Sequence, residues 1–205
     1  MKRIILIALS FMFSIGIYAN SSKKAYTAKS ITFLGIDYSE ALFVGTAGFR
    51  NPHGIKRLTN SWNGMFTLEY DKYNVGKFYN VEVSYNFDIV KERNQAVDYT
   101  ERITDNFSDD IRFSREDLQE MINAYPDFES EGVAMVMIVD SYKKGTEMAY
   151  YHIVFFDMKS KEILEVQLAS GKAAGFGIRN YWARSYKRAL EDAGKAYRKK
   201  RKKLI

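Results

Sequence analysis

The 205 residues contain no cysteine. That excludes disulfides, thiolate metal sites, a cysteine nucleophile and a lipid-attachment thiol. Histidine is nearly absent as well, with His53 and His152 the only two. Neither belongs to a His-x-x-x-His or His/Cys pattern, so no zinc site is expected, and nothing calls for another metal or a cofactor. Only two prolines occur, Pro52 and Pro126, and each marks a helix boundary. After residue 19 no long apolar run follows, so no transmembrane span is expected in the mature chain. A basic body is missing too. The formal charge is +6, of which Lys2 and Arg3 supply two. Arg198-Lys-Lys-Arg-Lys-Lys203 supplies six more, so residues 20–197 carry a net −2. A near-neutral body with a basic tail gives no ground for a nucleic-acid groove.

What is present begins with an address. Lys2 and Arg3 precede Ile4–Ile17, fourteen residues without a charge, and Ala19 offers a small residue for cleavage. This pattern is a secretory signal peptide, too short for a comfortable membrane span. The protein is therefore expected to be exported, to the periplasm or beyond. Residues 20–30 are small and polar and read as a flexible leader. Residues 31–197 suit one domain, and 46% hydrophobic content is ample for its core. Residues 198–205 form the basic tail.

Along the domain, Ile31–Asp37 is β-rich and reads as a first strand, with a second short one over Ala41–Val44. Asn51-Pro52 starts a helix: Asn caps its free amides, and Pro at the first position loses no hydrogen bond. Ile55, Leu58, Trp62, Met65 and Phe66 continue one apolar face toward Tyr73, with Gly76 as terminator. Val81, Val83, Tyr85, Phe87 and Ile89 alternate with polar residues and predict a half-buried strand. Val90–Arg112 is a polar connection with a short helical piece. Ser114 and Asp117 resemble a capping box for a helix that Pro126 stops. Val133–Val139 is wholly apolar and predicts a central strand covered on both faces. An alternating hairpin follows over 149–156 and 163–169. The last helix puts Ile178, Trp182, Tyr186, Ala189, Ala193 and Tyr197 on one face. The order β-α-β-α-β-β-β-α predicts one layered α/β (α+β) domain with a mixed sheet ending in an antiparallel meander.

Candidate sites follow from these elements. Asp37 and Glu40 stand at the carboxyl end of the first strand, the edge that ligands favour in open α/β sheets, yet no nucleophile elbow surrounds Ser39. His152 lies within a strand and shows no carboxylate or nucleophile partner in sequence. The turn Ser170-Gly-Lys-Ala-Ala-Gly-Phe-Gly177 joins a strand to a helix, where backbone amides can hold an anion. Its Gly171, Lys172, Gly175 and Gly177 match neither the P-loop nor the dinucleotide spacing, which favours a turn needing positive φ. Asp105–Glu116 mimics a calcium loop at its ends but has Phe107 and Asp110 at its strict positions. Tyr70, Tyr73, Tyr79, Tyr150 and Tyr151 fall near expected loops and strand ends, where aromatics can bind glycans or partner chains, although ordinary half-buried sheet positions explain most of them. The tail of Arg198, Lys199, Lys200, Arg201, Lys202 and Lys203 is either an anionic-surface contact or a frayed helix end whose cations suit the helix dipole.

The segments Phe33-Leu-Gly-Ile-Asp-Tyr-Ser39, Phe155–Leu164 and Gly175–Ala183 resemble an uncharacterised family of exported Bacteroidetes proteins. The element order is also loosely similar to the α/β domain shared by the TolB amino-terminal region, the curli secretion component and the outer-membrane activators of peptidoglycan synthases. That resemblance implies an assembly or interaction module. The expectation is a non-enzymatic cell-envelope module that binds an envelope protein or an anionic lipid or polymer. The alternative is a hydrolase or small-ligand binder whose site joins Asp37, Glu40, His152 and the glycine turn.

Overall fold

Val133–Lys143 is buried at every position, as an apolar strand covered on both faces must be. The rest of the sheet is arranged about it. The structure is a computed structural model describing residues 22–106 and 111–205. The signal-peptide reading of 1–19 lies outside the described residues, as does part of the acidic loop at 105–116.

The elements in chain order are α1 (22–27), β1 (Ser30–Asp37), β2 (Leu42–Val44), a 3-10 turn (Thr46–Gly48), α2 (Pro52–Leu68), α3 (Val75–Tyr79), β3 (Glu82–Tyr85), α4 (Asp88–Ala96), β4 (Ile103–Thr104), α5 (Arg115–Asn123), β5 (Val133–Lys143), β6 (Met148–Asp157), β7 (Ile163–Lys172) and α6 (Ile178–Arg201). They form a mixed α/β fold on one seven-stranded sheet. β1 and then β2 pair in parallel with successive stretches of β5, at Val133–Ile138 and Ser141–Lys143. β3 and β4 extend these two in parallel. β6 runs antiparallel along the whole of β5, and β7 antiparallel along β6. The expected C-terminal meander is therefore present, appended to a parallel sheet.

Alternation along β5 divides the core in two. Met135, Met137 and Val139 join a large cluster with Trp62, Met65 and Phe66 of α2 and Trp182, Tyr186 and Leu190 of α6. Ala134, Val136 and Ile138 join a smaller one with Val90 of α4 and Leu118 and Ile122 of α5.

Local signals are honoured where their chemistry is backbone chemistry. The Asn51 side chain accepts from the Gly54 amide at 2.8 Å with Pro52 in the first turn. Ser114 and Asp117 make the reciprocal capping box. Several expectations are corrected. The helix from Pro52 ends at Leu68, and Gly76 lies inside α3 instead of terminating the earlier helix. The strand expected over 81–89 is only Glu82–Tyr85: the Asn86 side chain accepts from the Asp88 amide at 3.2 Å, and α4 begins. The leader is not free over 22–27, which is helical and buries Ala25 and Tyr26. Tyr73, Tyr79 and Tyr151 are core residues, not surface aromatics. The basic tail is helical through Arg201.

Candidate functional site

β1 is interrupted before its end. Gly35 has φ +97°, and the register with β5 shifts between Phe33 and Ile36. Two buried asparagines repair the broken ladder from opposite faces. Asn63 of α2 accepts from the Ile36 amide at 2.7 Å and donates to its carbonyl at 2.9 Å. Asn94 of α4 donates to the same carbonyl at 2.9 Å and accepts from the Tyr38 amide at 2.6 Å. A Cβ at position 35 would lie 2.5 Å from Asn63 Oδ1, so glycine is required twice over.

This clasp fixes Asp37 and Glu40 at the carboxyl end of β1. Asp37 is buried and its carboxylate is fully engaged. It accepts from Arg93 Nε at 3.0 Å, the Tyr125 hydroxyl at 2.8 Å and the Ser39 amide at 2.8 Å. Arg93 also donates to Ser39 Oγ at 3.0 Å and lies 4.9 Å over the Tyr125 ring. Burial works against the Arg93 charge, but Asp37, Tyr125 and Glu40 outweigh it and raise its pKa. Burial, and then the adjacent Asp37, push Tyr125 well above the usual phenol range. Glu40 pairs with Arg102 at 2.9 Å. A shallow depression lies over Ser39, Glu40, Arg93 and Arg102, but its polar groups already bind one another.

The second centre was missed in sequence because its key residue sits at the end of an apolar strand. Asp140 occupies an irregularity in β5 between Val139 and Ser141. It is 3% exposed. Its Oδ2 stands 3.5 Å from Nε2 of His152 and accepts the Arg112 amide at 3.0 Å. The Arg112 guanidinium donates to the Asp140 carbonyl at 2.7 Å and the Glu40 carbonyl at 2.9 Å, tying the ends of β1 and β5 together. Burial raises the Asp140 carboxyl, but the contacts with His152 and Arg112 outweigh it and hold it below its usual range. The signal available in sequence was a lone acid ending an apolar run, one hairpin away from a histidine.

The glycine turn lies elsewhere. Gly171 is in β7, and a Cβ there would be 2.0 Å from the Ser185 carbonyl oxygen of α6. Lys172 pairs loosely with Glu147 at 3.8 Å. Gly175 and Gly177 take φ +118° and +76°, and Gly177 caps α6 with no side-chain bond. Phe176 is exposed. The turn thus packs a strand on a helix. Among the described residues its Gly171, Lys172, Gly175 and Gly177 line no cavity with Asp37, Glu40 or His152, so the four parts of the anticipated joint site fall in three places.

The tail departs from a simple frayed end. Tyr197 stacks near Tyr26, with ring centroids 5.0 Å apart, and its hydroxyl donates to the Ala25 carbonyl at 2.8 Å. Arg201 donates to the Ala28 carbonyl at 2.7 Å, and Lys200 pairs with Glu165 at 3.1 Å. Arg201, and Lys200 through its place 5.2 Å over the Tyr26 ring, therefore hold α1 and the residue after it against α6. Docking α1 there brings Lys23, Lys24 and Lys29 to the same end of the molecule as Arg198, Lys199, Lys202 and Lys203. Lys24 is engaged with Asp157. Leu204 and Ile205 are exposed beside these cations, Ile205 by 78%.

Among the described residues no group of three or more His, Asp or Glu side chains is placed to hold a metal ion. No helix among them is long and apolar enough to cross a membrane. No family model, no curated protein and no solved structure matches the chain.

Proposed function

We propose that this protein is an exported, non-enzymatic binding module whose cationic end docks on an anionic phospholipid surface of the cell envelope. The observation that carries the reading is the union of two distant segments at that end. Lys23, Lys29, Arg198, Lys199, Lys202 and Lys203 gather there because α1 packs on the last turns of α6. None of the six makes an ion pair among the described residues. Each cation near an anionic leaflet contributes about 1 kcal/mol at low salt.

Two features favour a membrane over an anionic polymer or a protein. Leu204 and Ile205 stand exposed amid the cations, as suits a headgroup boundary. The apolar run Ile4–Ile17 ends five residues before α1, whose Ser22 hydroxyl meets the Leu164 carbonyl at 3.2 Å. While that run engages a bilayer during export, the cationic end is the part of the fold tethered beside it. The clefts at the carboxyl end of β1 offer no free nucleophile or base, which supports binding over hydrolysis.

The test uses the chain from residue 20 onward, which keeps every described element and removes the apolar run. It is sedimented with vesicles of phosphatidylcholine containing 30% phosphatidylglycerol. Binding is expected at low salt, with loss in 0.5 M NaCl and on pure phosphatidylcholine. The triple variant K199E/K202E/K203E should bind at least tenfold more weakly while keeping its melting temperature, because Lys200 and Arg201 are untouched. Equal binding to both vesicle types, or no effect of the triple variant, sinks the proposal.

A further inference from the structure

The face of the sheet that carries Val136 and Ile138 is covered by α4 and α5 along only part of its length. Beyond α5, among the described residues, the segment with Ile111 and Phe113 borders the hairpin without filling the space above it. Register places Tyr150 opposite Ser170 and His152 opposite Leu168, so these four side chains rise on one side of β6 and β7. A cavity of about 320 Å3 opens over them, bounded also by Asp140 and Lys143. Leu168 is 59% exposed at its margin.

His152 at the base of this cavity is in an unusual state for a buried side chain. It is 2% exposed, with Nε2 3.5 Å from Asp140 Oδ2. Its Nδ1 is buried and has no hydrogen-bond partner among the described residues. Buried polar atoms are almost always paired, and leaving one unpaired is costly. The carboxylate fixes the meaning of the orphan. In the neutral imidazole, with Nε2 turned to Asp140, the ring proton sits on Nε2 and Nδ1 presents a lone pair. The group left over is therefore an acceptor, in a cavity walled by Tyr150 and Leu168, with the Phe113 ring 5.6 Å from the imidazole.

We propose that this cavity is a binding site for a small neutral aromatic molecule bearing one O–H or N–H donor, of the phenol or indole type. His152 Nδ1 accepts the donor's proton, and the aromatic body lies against Tyr150 and Leu168. An anionic ligand is disfavoured by the Asp140 carboxylate beside the histidine. A cationic one is disfavoured by Lys143, which lies 4.9 Å over the Tyr150 ring at the same wall. The volume sits at the small end of ligand pockets, which sets the size at one or two rings. The site is independent of the cationic end of α6.

The experiment labels the two histidines with 15N in the chain from residue 20 onward and titrates it with phenol and with toluene, a probe of similar size that lacks the donor. Phenol should shift the His152 Nδ1 resonance saturably, leave His53 unmoved and bind about tenfold more tightly than toluene. His152→Phe keeps a ring in place without the acceptor and should abolish the preference for phenol. Leu168→Trp adds bulk at an exposed margin, so it should block both probes without disturbing the fold. Equal affinity for phenol and toluene overturns the proposal, as does phenol binding that leaves His152 unshifted. Binding of neither probe also overturns it and assigns the Nδ1 partner to a buried water.

Discussion

Gly171→Ala separates a packing glycine from a ligand-binding one. The added Cβ would lie 2.0 Å from the Ser185 carbonyl oxygen, 2.7 Å from its carbon and 3.0 Å from its Cα. Ordinary contact begins near about 3.5 Å, so β7 and α6 would have to part by roughly 1.5 Å. Both sides of the clash are backbone, and no side chain can rotate away. α6 is held on its far side as well, since a Cβ at Gly194 would meet the Phe78 carbonyl oxygen at 2.4 Å. The helix is therefore wedged between β7 and α3 and cannot retreat. Overpacking of this kind costs about 1–3 kcal/mol, and the rigid surroundings place it at about 3. For a domain of this size that lowers Tm by about 6–12 °C. Two other glycines calibrate the measurement. Gly177→Ala meets nothing within 4 Å but forces a side chain to φ +76°, which costs about 1–2 kcal/mol. Gly64→Ala sits inside α2 with only Leu68 Cδ1 at 3.8 Å, and should stabilise by up to about 1 kcal/mol. Thermal and urea unfolding of the three variants should rank them in that order. If Gly171→Ala unfolds within 1 kcal/mol of the parent, the β7–α6 contact is not what requires the glycine, and the turn's role in binding is open again.

Asp37→Asn should cost about 2–3 kcal/mol in urea unfolding, because it strips the half-buried Arg93 and the buried Tyr125 of their shared anionic partner. A change under 0.5 kcal/mol would show that Asp37 is not a structural clasp. Asp140 gives a pH signature. Its folded pKa lies below the ordinary 3.8, so its contribution is complete above that value and is lost as pH falls through the lower folded one. Asp140→Asn should therefore flatten the stability curve below about pH 4 relative to the parent. Parallel curves between pH 2.5 and 6 would refute the pairing with Arg112 and His152.

The parts of this fold that could be read in sequence are those decided by local chemistry or by an unbroken pattern. Val133–Val139 has no polar residue, and a strand buried on both faces is the only place such a run fits a sheet of this size. Asn51-Pro52 and Ser114 with Asp117 satisfy backbone amides within their own turn, so nothing distant can overrule them. The alternation over 81–89 failed for the opposite reason. Period two permits a strand, but a partner must exist to extend it. β3 pairs only with β1, at a sheet edge, and the Asn86 turn ends it after four residues. The tyrosines were ambiguous because phenol rings suit both surfaces and cores. Tyr151 is buried with its hydroxyl 2.6 Å from Ser185 Oγ, a contact made across 34 residues. Only the assembled helix and sheet could show it.

The candidate sites were misjudged on the same principle, and the error has a direction. A carboxylate at the carboxyl end of a parallel strand is a ligand group only if the fold leaves it unsatisfied. Here the break in β1 at Gly35 is mended by Asn63 and Asn94, and Arg93 and Tyr125 are turned onto the Asp37 carboxylate. That crevice is closed by its own repairs. The hairpin beyond it carries its own irregularity, at Asp140. Its polar centre, Asp140 with His152, is satisfied on the carboxylate side by Arg112 and left incomplete at Nδ1. Incompleteness of a buried acceptor beside a cavity is a sharper sign of a ligand than the position of an acid in a topology diagram. The topology offers the same crevice to every open α/β sheet, whereas the orphan nitrogen follows from how Asp140 and His152 are placed.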